Sequence, residues 1–201
     1  MNRPLLQRWP MLAETLPWTA LGELPTPLQP VAPLADGLGL ASLTLKRDDI
    51  SAVRYGGNKV RKLELLLPDA AARGCTAVMT YGGLGSNHAL ATALYARQFG
   101  LRCGAVLTPE PITPAVRRTL QRHQALGTEL VLAANYGQVP TAAAGLTEQL
   151  GGSARCADIP FGGSNWLGTL GFVNAALELA GQVAARELPA PDIIYVGGGT
   201  A

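Results

Sequence analysis

From Asn58 onward, β-rich apolar runs alternate with helical stretches, and this alternation limits the fold more than any other feature of the chain. "NKVRKLELLLPDAAARG" (58–74) has helical character and stops on a glycine. "TAVMTYG" (76–82) reads as a strand, "SNHALATALYARQFG" (86–100) as a helix, and "LRCGAVLTP" (101–109) as a strand. "TPAVRRTLQRHQALG" (113–127) is a helix with proline near its start and glycine at its end, the usual asymmetry of helix termini. "TELVLAA" (128–134) then reads as a strand and "PTAAAGLTEQLGG" (140–152) as a helix. A long helix over 167–188 follows, and "PDIIYVGGGT" (191–200) reads as a strand running into glycines. Strands that alternate with helices imply parallel βαβ units with right-handed crossovers, hence an α/β fold with parallel sheets and flanking helices. In such folds, sites form at the carboxyl ends of strands.

Two segments disturb the rhythm. Pro68 falls inside the first helical stretch, where a missing N–H and a bulky ring are expected to kink or divide it. Residues 1–34 hold much of the proline, including "ELPTPLQPVAP", and read as an extended arm without helix. "SLTLKRDD" suggests a strand near 42–47. The expected organisation is an arm and strand over 1–49, a smaller α/β domain over 50–165, and the start of a larger domain over 166–201.

Composition removes several function classes. With 16 Lys and Arg against 14 Asp and Glu, the charge is too balanced to argue for nucleic acid or an anionic membrane. No stretch reaches the roughly 20 apolar residues of a membrane span. The N-terminus is broken by Pro4, Arg8, Pro10 and Glu14, so it does not resemble a signal peptide, and a cytoplasmic protein is expected. Cys75, Cys103 and Cys156 form no CxxC pair, which leaves buried thiols and no metal site as the expectation. Charged residues are only 15%, a low share that is expected to hide some surface against a partner.

Chemistry can be sought at the glycine-rich loops. "GGGT" (197–200) follows a strand and can turn backbone N–H groups toward an anion, or can simply be a turn. In "GGLGSNH" (82–88), Ser86 stands where a helix N-cap would, and capping is its simplest role. Alternatively Ser86, Asn87 and the free N–H groups of the helix start hold a carboxylate. His88 is either a polar helix residue or a ligand. His123 follows Arg122 on a face that reads as exposed, and no role is assigned to it.

The densest stretch is "RYGGNKVRKLE" (54–64). Lys59 and Lys62, three apart, share a helix face while Arg61 points elsewhere. Either they are a solvated basic helix start, or they serve a ligand. Cations at a helix N-terminus oppose its dipole, a conflict that a dianionic phosphate on Lys62 would resolve. A neighbouring cation also lowers a lysine's pKa and frees Lys59 as a nucleophilic amine. Gly56 and Gly57 would clear room for a flat ring.

"LKRDDISAVRYGGNKVRKLE" (45–64) closely resembles the lysine motif of the D-cysteine desulfhydrase and 1-aminocyclopropane-1-carboxylate deaminase group. That group lies among the fold type II, tryptophan-synthase-β-like, pyridoxal-phosphate enzymes. "PTPL" (25–28), "GGLGSNHALA" (82–91) and "GGSNWLGTLGF" (162–172) follow in the family's order. The resemblance implies pyridoxal 5'-phosphate attached to Lys59, with Asn58 beside it, Lys62 on its phosphate, and Gly197, Gly198, Gly199 and Thr200 as the phosphate loop. It also implies Asn87 near the cofactor's phenolic oxygen or the substrate, and Ser86 on the substrate carboxylate and in proton transfer. His88 joins Ser86 and Asn87 as a substrate contact. The activity implied is a lyase or deaminase (a hydrolase in some members) taking a small amino acid to ammonia and a 2-oxo acid, in a homodimer. Two departures bear on the substrate: Gly85 stands where the family usually has Gln, and Ala89 and Leu90 stand where Val-Arg-Gln is common. Family chains continue well past a "GGGT" loop, so a truncated chain is expected, inactive by itself. A non-catalytic remnant that binds a phosphate ligand or a partner chain is the alternative.

Overall fold

The computed structural model describes residues 3–198. A parallel four-stranded sheet is built from β3 (Ala77–Gly83), β4 (Arg102–Thr108), β5 (Glu129–Leu132) and β6 (Cys156–Asp158), in the order β5-β4-β3-β6. Ala77 of β3 pairs with Arg102 on one side and Cys156 on the other. From β3 the chain adds β4 and β5 on one side, then returns to place β6 on the opposite side. A ligand crevice is expected at such a reversal, outside the carboxyl ends of the strands. Here the exit loops of β3 and β6 flank it.

The α/β reading of the sequence is met. Helices α4 (Lys59–Ala72), α5 (Asn87–Ala96), α6 (Pro114–Leu126), α7 (Val139–Gln149) and α8 (Trp166–Ala184) fall where periodicity placed them. One core joins Val60, Leu63, Leu66 and Leu67 of α4 to Ala91, Ala93 and Tyr95 of α5 and to Val78 of β3. A second lies on the other face of the sheet, where Ala143 and Leu146 of α7 meet Ala77, Met79 and Val106. β6 escaped the sequence reading because three residues are too few to show a period.

Three expectations are corrected. Pro68 does not divide α4, which runs unbroken over 14 residues. Proline has no N–H to give the Glu64 carbonyl four residues back, and the Thr19 N–H supplies that bond instead, at 2.9 Å. The proline-rich arm is not wholly extended: α1 (Pro4–Arg8), α2 (Leu12–Thr15) and α3 (Ala32–Gly37) are short helices. Pro4 and Pro33 sit in the first turns of α1 and α3, where a missing N–H costs nothing. Between α2 and α4, β1 (Leu28–Pro30) pairs antiparallel with β2 (Thr44–Lys46), close to the strand expected near 42–47. The strand expected over "DIIYV" does not form. Ile193, Ile194, Tyr195 and Val196 are exposed, and no strand among the described residues pairs with them. An apolar run becomes a strand only where a neighbour takes its N–H and C=O groups.

Candidate functional site

Helix α4 begins on a loop whose shape depends on its glycines. A Cβ on Gly56 would run into the Asp49 carbonyl, and Gly57 has φ +113°, which only glycine adopts without strain. Gly57 N–H donates to the Asp48 carbonyl at 2.9 Å, and the Ser51 hydroxyl donates to the Gly57 carbonyl at 2.9 Å. The glycines therefore serve the backbone of the loop, a task beside the clearing of space expected from the sequence. Asn58 follows in helical conformation and lends no side-chain cap.

The charges of "KVRKLE" separate by helix face. At 3.6 residues per turn, Lys59 and Lys62 stand about 60° apart, with Arg61 roughly opposite Lys59. Lys62 is buried; its Nζ donates to the Ser164 hydroxyl at 2.8 Å and lies 5.5 Å from the Phe172 ring centre. Lys59 is half-buried. Burial holds the Lys59 amine below the ordinary lysine range. Burial does the same for Lys62, and the nearby Lys59 charge adds to it.

The other face is tied down. Arg61 grips Asp48 through Nε and Nη2 at 2.8 and 2.7 Å, and Glu178 of α8 through Nη1 and Nη2, both at 3.0 Å. Burial opposes the guanidinium charge, and these carboxylates more than offset it. Glu64 accepts from Arg3, from the Leu21 and Gly22 N–H groups at 3.0 Å, and from Trp18 Nε1 at 3.3 Å. With Arg61 and Glu64 fixed, α4 has one rotational setting, and it turns both lysines toward the crevice.

Opposite them, the exit loop of β3 leads into α5. Most of its N–H groups are engaged within the protein: Leu84 on the Thr108 carbonyl, Ser86 on the Gly83 carbonyl, and Gly85 on the Glu110 carboxylate. Ser86 Oγ caps α5 by accepting from Ala89 N–H at 3.2 Å, so its own O–H remains free to donate outward. Among the described residues, no acceptor meets the N–H groups of Asn87 and His88. Asn87 is exposed, and the Tyr55 hydroxyl donates to its Oδ1 at 2.8 Å, which leaves the amide NH₂ as a donor. His88 turns its ring inward: it is 5% exposed, and Nε2 sits 2.9 Å from the Thr80 hydroxyl. Burial first, then the Lys59 and Lys62 charges, push it down to about 4, so it is neutral at pH 7.

The two sides meet at the crevice. On the β6 side, Gly163 has φ +66°, and a side chain there would touch His88 Cε1 and Lys62 Cδ at 3.3 and 3.4 Å. Tyr81 stacks on Phe161 with centroids 5.1 Å apart and walls the same end of the sheet. The structure thus brings together Asn58, Lys59, Lys62, Ser86, Asn87 and His88. Gly197 and Gly198 are exposed, in a stretch without regular structure, while Gly199 and Thr200 lie outside the described residues. Ser164, Phe172 and Tyr55 received no role from the sequence. The first two lie within the "GGSNWLGTLGF" motif, which was the available signal. His123 is also corrected: it is fully buried, its Nδ1 is 3.1 Å from the Thr128 hydroxyl, and burial pushes it down to about 4.

A family profile described as pyridoxal-phosphate dependent enzyme matches residues 19–201. A Pyrococcus abyssi protein, provisionally named 1-aminocyclopropane-1-carboxylate deaminase, is 35% identical over 197 residues, 97% of this chain and 57% of its own length. D-cysteine desulfhydrase of Salmonella choleraesuis is 36% identical over 186 residues, 88% of this chain and 55% of its own. The crystal structure of an ACC deaminase homologue superposes with a TM-score of 0.73 at 30% identity, covering 92% of this chain and 55% of that one. The chain therefore spans little more than half the length of these relatives. A lysine pair at a parallel-sheet switch point, a matching profile over nine-tenths of the residues and these likenesses lead to one conclusion: the chain belongs to the fold type II pyridoxal-phosphate dependent enzymes, related to the ACC deaminase and D-cysteine desulfhydrase group.

Proposed function

We propose that the complete protein is a deaminase or desulfhydrase of small amino acids, such as D-cysteine or 1-aminocyclopropane-1-carboxylate. It would release ammonia and a 2-oxo acid, with sulfide as well from D-cysteine. The observation that carries this is the pairing of two unlike donor sets across one crevice: buried Lys62 and half-buried Lys59 of α4, and the donors of Ser86, Asn87 and His88.

The residues fit pyridoxal phosphate. The Lys59 amine, shifted below the ordinary lysine range by burial, suits covalent attachment. Lys62, held on Ser164 beside the chain turn at Gly163, suits a phosphate oxygen. The carboxyl-end crevice, flanked by Phe161, Phe172 and Tyr81, suits an aromatic ring. When bound, the cofactor supplies an electron sink for a carbanion next to the amino group.

What this chain's residues do follows from their donors. The Asn87 and His88 N–H groups and the Ser86 O–H hold the substrate carboxylate at the start of α5, where the helix dipole favours an anion. Tyr55 fixes the Asn87 amide so that its NH₂ points at the ligand. Lys59, released as a free amine, takes the α-proton at its Nζ; a half-buried amine below its ordinary pKa serves as a base nearer neutrality. Ser86 stands at the carboxylate end and can hand its hydroxyl proton to the substrate. His88, neutral, keeps its side chain on Thr80 and contributes through its backbone. We propose further that residues 50–165 form the smaller domain, that 197–200 complete the phosphate site, and that the whole protein is a homodimer.

The test is to supply D-cysteine and 1-aminocyclopropane-1-carboxylate separately to the full-length protein with pyridoxal phosphate. Ammonia and 2-oxo acid released in equal amounts from either substrate support the reading. Racemisation or β-replacement without ammonia would contradict it.

A further inference from the structure

The loop that carries the proposed carboxylate donors is held from behind. Two residues past the end of β4, the Glu110 carboxylate accepts from the Gly85 N–H. It lies so close to the loop that a Cβ on Gly83 or on Gly85 would collide with it, and one on Gly85 would also come within 2.9 Å of Val116 Cγ2 of α6. One residue earlier, Leu84 N–H donates to the Thr108 carbonyl at 3.1 Å. Two successive N–H groups of the loop are thus bound to the exit of β4, and just beyond them the N–H groups of Asn87 and His88 have no acceptor among the described residues. Gly85 is the position at which this chain departs from the glutamine of the group it resembles. The missing side chain and Glu110 form a matched pair: the carboxylate occupies ground that a side chain at 85 would need.

We propose that Glu110 is a positioning residue, bracing the Gly82–Ser86 loop so that the N–H groups of Asn87 and His88 stay aimed at the substrate carboxylate. This rests on the carboxylate site proposed above. Glu110 acts through Gly85 and touches no substrate. Its requirement is an acceptor oxygen, and glutamine can supply one.

The experiment uses ¹⁵N-labelled protein at saturating pyridoxal phosphate, as wild type, Glu110→Gln, Glu110→Ala, Gly85→Ala and the Gly85→Ala/Glu110→Ala double variant. Amide exchange at Gly85 reads the brace, and D-alanine titration followed at the Asn87 and His88 amides reads the site. Glu110→Ala is expected to speed Gly85 exchange and weaken D-alanine binding by at least about tenfold each, the scale of one hydrogen bond to a charged group. Glu110→Gln should restore both to within about threefold, since it keeps the acceptor. Gly85→Ala, which displaces the carboxylate, should match Glu110→Ala, and the double variant should be no worse than either. Unchanged Gly85 exchange in Glu110→Ala, or fully additive effects in the double variant, would overturn the brace while leaving the carboxylate site standing. Absence of any D-alanine response at Asn87 and His88 in the wild type would overturn the carboxylate reading, and the positioning role with it.

Discussion

Lys59, Arg61, Lys62 and Glu64 sit within two turns of α4, and helical phase gives them different tasks. The lysines face the crevice, whereas Arg61 and Glu64 lock the opposite face to the arm, the Asp48 turn and α8. Lys62→Ala is expected to weaken pyridoxal phosphate binding while leaving the visible absorption band intact at saturating cofactor. Titration of the band against cofactor checks this, and loss of the band at saturation would contradict it. Ser86 Oγ caps α5, and its O–H is free for the second, proposed use on the substrate. Ser86→Ala should therefore lower the melting temperature by the loss of about 1 kcal/mol of capping and cut turnover by roughly ten- to a hundredfold. A variant that melts earlier yet turns over normally would leave only the cap. Ser86 was legible in the sequence because capping and ligand binding both need a small hydroxyl just before a helix. Glu110 was not legible: nothing local marks a carboxylate that folds back across 25 positions onto a glycine N–H.

Among the elements, α4 shows how tertiary partners override local rules. Proline inside a helix reads as a break, and here the Thr19 N–H replaces the lost donor. Such a rescue comes from 49 positions before the proline, so no window around Pro68 could reveal it. Helix α8 packs so tightly on α4 that a Cβ on Gly171 would enter the Arg61 backbone carbonyl. The joint is completed by Glu178, which also binds Lys46 at 2.6 Å and accepts from Thr26 N–H at 3.0 Å. Burial works against the Glu178 carboxylate, and Arg61 and Lys46 hold it below the ordinary range nonetheless. Arg61→Met takes the cation from Asp48 and leaves Glu178 with Lys46 alone, so a loss of about 3 kcal/mol is expected in urea unfolding. A loss below about 1 kcal/mol would mean that α4 is oriented by its apolar face alone. The strands and helices between 77 and 149 were legible because their periods are local. The stretch over 192–196 shows the limit of that reading, since an apolar pattern without a pairing neighbour did not make a strand.

At the scale of the whole molecule, two buried neutral histidines set an acid limit. His88 and His123 both lie near pKa 4, against an ordinary value of 6.5. Their folded values are depressed, so the stability they contribute is complete above the unfolded value and drains away as pH falls from 6.5 toward 4. Each contributes a slope of up to about 1.4 kcal/mol per pH unit in that window. Urea midpoints should therefore drop between pH of about 7 and about 5, and His123→Gln should remove close to half of the drop. A midpoint that is flat over this range would mean that both rings charge freely in the folded state. No helix among the described residues is long and apolar enough to cross a membrane. The central claim, that this fold presents Lys59 to pyridoxal phosphate while Lys62 meets the phosphate, is tested most directly by reduction. The protein is mixed with pyridoxal phosphate, treated with borohydride and digested, and the modified peptide is sequenced by mass spectrometry. The account predicts loss of the visible band and cofactor mass on Lys59 alone; cofactor on Lys62, or spread evenly over surface lysines, would contradict it.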